Sequence, residues 1–126
     1  MVTHNGVEAM EWADKIIYMD KGRVQRIDTP QNFFETPRNK KEASFFGELN
    51  KIVIKGKEIF FRPSFFSSEK TKSFKKSLKV EFKQRQNLGW YSIFTFSCEG
   101  QEFRLFSTED ISELRKIYIR AIQFND

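Results

Sequence analysis

From Lys51 onward, apolar residues recur at alternate positions, and that period restricts the larger part of the chain to short strands. Ile52-Val53-Ile54 is a β-branched run, Lys55-Gly56-Lys57 turns the chain, and Ile59 to Arg62 gives a second strand closed by Pro63. Residues 67–77 are polar, basic and aperiodic, which predicts a mobile loop. Leu78, Val80 and Phe82 then face one way, with Lys79, Glu81 and Lys83 opposite. After Asn87-Leu88-Gly89 the pattern predicts a strand with Trp90, Ser92, Phe94, Phe96 and Cys98 on one face and Tyr91, Ile93, Thr95 and Ser97 on the other. Glu99-Gly100 is a hairpin turn, Phe103 and Leu105 continue the alternation, residues 108–113 form a polar connection, and Ile117, Ile119 and Ala121 make a last strand. Five or six short antiparallel strands in so few residues predict a small barrel.

The first 49 residues follow another rhythm. Val7 to Ala13 predicts a short helix with Glu8 and Glu11 near the positive end of its dipole. Lys15 to Met19 and Arg23 to Ile27 read as a hairpin around Asp20-Lys21-Gly22. Thr29-Pro30 fits an N-cap followed by Pro at N1, opening a helix that ends before Pro37. A second helix over Asn39 to Phe46 places Ala43 and Phe46 on one side. Charge divides the chain at the same point: 7 Lys and Arg against 8 Asp and Glu up to residue 49, then 15 against 9. The expected class is α+β, short helices and a hairpin over 1–49 and a small antiparallel barrel over 50–126.

Composition removes several functions. No apolar run approaches the length of a membrane span and no signal peptide is visible, so a soluble chain is expected. Cys98 is the one cysteine, which excludes an internal disulfide or a thiolate metal cluster; on a strand it reads as packed and inert. A reducing, cytoplasmic setting fits.

The most specific stretch is Val2 to Pro30. Val2-Thr3-His4, Glu8-Ala9-Met10, Ala13-Asp14-Lys15-Ile16, Met19, Gly22-Arg23-Val24 and Thr29-Pro30 occur in the order and spacing of one family, and the match continues through Pro37 and residues 45–50. The chain resembles the C-terminal part of the ATPase subunit of an ATP-binding-cassette (ABC) importer, from its switch-histidine loop onward. Phe45-Phe46-Gly47, Asn50, Arg62-Pro63, Leu88-Gly89-Trp90-Tyr91 and Glu99-Gly100 resemble the transport-associated OB (TOBE) domain that follows the nucleotide-binding domain in such subunits. Asn5 and Ser64 stand where the family often has an acid. The resemblance implies that 1–49 ends a nucleotide-binding domain and 50–126 is an accessory OB-like domain. It implies that His4 contacts the terminal phosphate of ATP in an intact subunit that uses ATP and magnesium. It further implies paired membrane permease subunits and a position at the inner face of the cell membrane. The apolar side chains of Val7, Met10, Trp12, Ile16, Ile17 and Met19 would pack in such a subunit on a sheet of its nucleotide-binding domain, so here the segment is expected either to dock on the barrel or to pair with the same segment of a second copy as a homodimer.

The chain by itself is expected to hold no cofactor and to hydrolyse no nucleotide. Glycines 6, 22, 47, 56, 89 and 100 form no phosphate-cradling loop, and no apolar strand ends in Asp-Glu to hold magnesium. By the resemblance, this part would regulate, dimerise or sense ligand. The rival reading is an OB-type module for single-stranded nucleic acid, with Lys70, Lys72, Lys75, Lys76, Lys79, Lys83 and Arg85 lining a groove and Phe74, Trp90 or Tyr91 as stacking platforms. A solvated basic face is the commoner outcome for such a run, and Phe82, Phe94, Phe96 and Phe103 alternate as inward residues do, so no specific nucleic acid is expected. A basic membrane-facing surface is weaker still, for want of an amphipathic basic helix.

Overall fold

The computed structural model describes Gly6 and residues 14–124. The predicted helix over Val7 to Ala13 lies outside the described residues. The chain forms two compact units, Met1–Glu48 with Ile122–Asp126, and Leu49–Ala121. Among the described residues no helix is long and apolar enough to cross a membrane.

In the first unit, β1 (Ile16–Asp20) and β2 (Arg23–Asp28) form the expected hairpin, followed by α1 (Pro30–Glu35) and α2 (Lys40–Phe45). Lys21 and Gly22 both take positive φ, as a two-residue turn matching strand twist requires. The Thr29 hydroxyl accepts from the Asn32 N–H at 3.2 Å, with Pro30 at the first helical position, and the Asn39 side chain accepts from the Glu42 N–H at 2.9 Å.

β2 does not alternate simply. The register slips between Tyr18 and Met19, so Tyr18 pairs with Arg26 and Met19 with Val24, leaving Gln25 as an extra residue. That bulge puts Ile17, Met19, Val24 and Ile27 on one face, each more than half exposed. Ile16, Tyr18, Arg26 and Asp28 share the other. Ile16 and Tyr18 pack there with Phe33 and Phe46, Phe45 closing the side, and the Phe33 and Phe46 ring centres lie 4.4 Å apart. Ile16 therefore needs no partner outside its own unit.

The second unit is antiparallel throughout. Its strands are β3 (Asn50–Ile54), β4 (Lys57–Phe61), β5 (Phe66–Ser67), β6 (Lys76–Lys79), β7 (Glu81–Asn87), β8 (Ser92–Cys98), β9 (Gln101–Ser107) and β10 (Lys116–Ile119). Eight strands replace the expected five or six, because the polar run holds the ends of two short ones. Phe66 and Ser67 pair with β10, and β6 starts at Lys76. The pattern through Leu78 also divides at Val80, whose N–H donates to the Arg115 carbonyl at 2.9 Å.

Backbone ladders join these strands as β3-β4, β7-β8-β9 and β5-β10-β6, and among the described residues no ladder closes them into a barrel. β3 and β9 are fastened by side-chain amides instead. Asn50 Nδ2 donates to the Arg104 carbonyl at 2.7 Å while its Oδ1 accepts the Arg104 N–H at 3.1 Å. Gln101 Nε2 donates to the Val53 carbonyl and its Oε1 accepts the Val53 N–H, both at 2.7 Å. Each amide supplies the donor and acceptor that a neighbouring strand would have offered.

The core gathers Ile52, Ile59, Phe61, Leu78, Val80, Phe94, Phe96, Cys98, Phe103, Leu105, Ile117 and Ile119. Phe82 packs at its edge, half-buried. All seven residues of β8 are buried, so the clean alternation expected in its second half is absent. β8 also starts at Ser92, two residues later than predicted. The Asn87 side chain accepts the Gly89 N–H and the Leu88 N–H donates to the Tyr91 carbonyl, both at 2.9 Å, which folds Trp90 and Tyr91 into a turn.

Candidate functional site

His4, the residue that the resemblance assigns to phosphate contact, lies outside the described residues. Among the described residues no group of three or more His, Cys, Asp or Glu could hold a metal ion. Two constellations remain, one in each unit.

In the first unit the bulge at Gln25 turns Arg26 onto the inner face, where its guanidinium meets Glu42, a fully buried carboxylate on α2. Arg26 also donates to Asp28 Oδ2 from Nη2 at 2.8 Å and to the Thr36 carbonyl from Nη1 at 3.0 Å, and it lies 4.7 Å from the Phe33 ring centre. Arg38 approaches Glu42 from the other side, its Nε and its backbone N–H each donating at 3.3 Å. A carboxylate withdrawn from water needs this number of donors. The Asn32 amide, then Arg26, then the Thr29 N–H hold the Asp28 carboxyl down to about 2. This cluster ties the hairpin to both helices. Sequence reading missed it, although Asn39-x-x-Glu42 is a capping-box spacing that puts an acid at the right turn of α2.

In the second unit the turn at 88–91 and the strand ends around it form an aromatic recess. It has a volume of about 580 Å³ and is lined by Ser64, Phe66, Trp90, Tyr91, Phe106, Ser107 and Thr108. Trp90 is 80% exposed, a large apolar surface left in water. Trp90 and Tyr91 were expected on opposite faces of a strand. In the turn their ring centres come within 4.6 Å, and Tyr91 lies 5.9 Å from Phe106. A second recess of about 600 Å³, lined by Val80, Glu81, Phe82, Ser112, Glu113, Leu114 and Arg115, is more polar.

The residues proposed for a nucleic-acid groove do not assemble around these rings. No lysine lines the aromatic recess. Lys83 pairs with Glu81 at 3.3 Å, and Arg85 donates to Ser92 Oγ at 3.1 Å and approaches Asp110 at 3.7 Å. Phe94, Phe96 and Phe103 are buried, as their alternation predicted. Cys98 is buried as well, and burial followed by the Glu99 charge pushes its thiol pKa up, away from nucleophilic use. Arg62 is fully buried, and loss of hydration lowers its guanidinium to about 10.

Fold and site together define a small antiparallel β-rich protein with a few short helices, an aromatic recess, and no metal centre among the described residues. No family model matches the chain. It is 32% identical over 101 residues to a sulfate/thiosulfate import ATP-binding protein (CysA) of Pseudomonas putida, a match covering 79% of this chain and 30% of that protein. It is 38% identical over 64 residues to the protein of the same name from Vibrio vulnificus, covering 50% of this chain and 19% of that one. It is 40% identical over 62 residues to a spermidine/putrescine import ATP-binding protein (PotA) of Malacoplasma penetrans, covering 47% of this chain and 10% of that protein. The chain belongs to the family of ATP-binding proteins of ABC importers, and it spans about a third or less of the length of these relatives.

Proposed function

We propose that this chain is the C-terminal, non-catalytic part of the ATP-binding subunit of an ABC importer. In this reading residues 1–49 end the nucleotide-binding domain and 50–126 form an OB-like, TOBE-type accessory domain that regulates or assembles the subunit. The observation that carries it is the 101-residue match to an import ATP-binding protein. That match is longer than either compact unit, so it crosses from one into the other, which supports reading both units as parts of one such subunit.

The intact subunit binds ATP and magnesium elsewhere in its sequence, places His4 at the terminal phosphate, and couples hydrolysis to import through membrane permease subunits at the cytoplasmic face. Supporting an OB-like arrangement are the amide clamps between β3 and β9 and the shared core of the second unit. The exposed face of Ile17, Met19, Val24 and Ile27 supports a homodimer or docking on the remainder of the subunit. Calorimetry with Mg-ATP tests the division of labour. The 126-residue chain is expected to give no binding heat, and micromolar affinity would overturn the assignment.

A further inference from the structure

We propose that the aromatic recess of the second unit binds a neutral saccharide. Trp90, Tyr91 and Phe106 project from the 88–91 turn and the outer face of β9, outside the core that takes Phe103 and Leu105, and Phe66, which also packs against that core, completes the aromatic lining. The interplanar angles are 51° between Trp90 and Tyr91 and 59° between Tyr91 and Phe106, so the rings make a concave trough instead of a flat stack. A volume of about 580 Å³ suits a small ring-shaped molecule.

The lining selects the class of ligand. Its side-chain polar groups are the Tyr91 phenol, the Trp90 indole N–H and the hydroxyls of Ser64, Ser107 and Thr108, and it contains no charged residue. The Ser107 hydroxyl accepts the Glu109 N–H at 3.0 Å, which leaves its own hydrogen to donate to a ligand. An anion such as sulfate or a nucleotide phosphate has no lining cation to meet. Arg104, over the Phe106 ring at 5.6 Å, is not a lining residue. A polyamine or quaternary ammonium would gain from the ring faces but finds no carboxylate. A pyranose fits both halves of the lining. The C–H hydrogens of one sugar face meet the electron-rich faces of the rings, and its hydroxyls exchange hydrogen bonds with Ser64, Ser107 and Thr108. The exposure of Trp90 follows, since its ring is the wall that a ligand would cover. The inference uses only the second unit's own residues and stands whether or not the chain is part of an importer subunit.

Saturation-transfer NMR on the full chain tests it, with maltose and glucose as probes and sodium sulfate, spermidine and AMP as competitors. The expected result is saturation of the sugar C–H protons with a millimolar dissociation constant, not displaced by any competitor. Trp90→Ala, at a position too exposed to disturb the core, weakens binding by about tenfold, Thr108→Val weakens it by about threefold, and Trp90→Phe retains it. Absence of transfer to either sugar overturns the proposal. So does equal transfer in Trp90→Ala shown folded by circular dichroism, or displacement of the sugar by AMP.

Discussion

Replacing Glu42 with Ala removes the carboxylate on which Arg26 and Arg38 converge. Truncating one partner of a buried ion pair typically costs 3–5 kcal/mol, because the remaining charge is stranded away from water. Arg26 keeps Asp28 and the Thr36 carbonyl as acceptors, and the Arg38 side chain is partly exposed, so the loss belongs at the low end, about 3 kcal/mol. For a small unit with a urea m-value of about 1–2 kcal/mol/M, this moves the unfolding midpoint down by about 1.5–3 M. Near-UV circular dichroism reads it directly, since Tyr18, Phe33, Phe45 and Phe46 form one ring cluster in the same unit. That signal is expected to disappear at lower urea while the transition of the second unit holds its midpoint. Glu42→Gln, which keeps one acceptor oxygen, should fall between the two. A ring-cluster midpoint that moves by less than about 0.3 M, or two transitions that shift together, would refute the reasoning.

Asp28 is held at about 2 in the folded chain, below its ordinary value, so its stabilisation is complete above about pH 4 and is lost as pH falls through the folded value. Acid titration of wild type against Asp28→Asn should show a stability gap that is constant near neutrality and closes toward pH 2. Asn50→Ala strips the Arg104 N–H and carbonyl of their amide partner and should cost about 1–3 kcal/mol in urea unfolding, with faster amide exchange at Arg104. Phe96→Ala empties a fully buried position beside Phe82 and Phe103 and should cost about 3–5 kcal/mol by the same measurement; a loss below 1 kcal/mol would contradict the core described above.

Local chemistry was readable wherever one residue type decides the backbone. Lys21-Gly22, Lys55-Gly56 and Glu99-Gly100 each form a two-residue turn with positive φ at both positions, and each was expected as a turn from its glycine. Thr29-Pro30 and Asn39 open their helices as capping preference predicts. What escaped the sequence depends on partners distant along the chain. Phe66-Ser67 is a strand only because β10, some fifty residues later, pairs with it. Arg26 reaches Glu42 only because Gln25 bulges, and nothing in Val24-Gln25-Arg26 announces a bulge. Trp90 left its predicted strand because Asn87 and Gly89 make a turn that consumes two more residues than periodicity alone suggests. The aromatic recess assembles from Ser64, the 88–91 turn and the end of β9, a union that alternation within a single strand cannot show.

The most direct test of the proposed identity is ATP hydrolysis by a chimera in which this chain replaces the homologous stretch of the Pseudomonas putida sulfate/thiosulfate import ATP-binding protein. The assignment predicts a folded chimera that hydrolyses Mg-ATP within about tenfold of the parent rate and loses that activity when His4 is changed to Ala. A folded chimera that binds Mg-ATP but hydrolyses none of it, or one whose rate is indifferent to His4→Ala, would contradict the proposal.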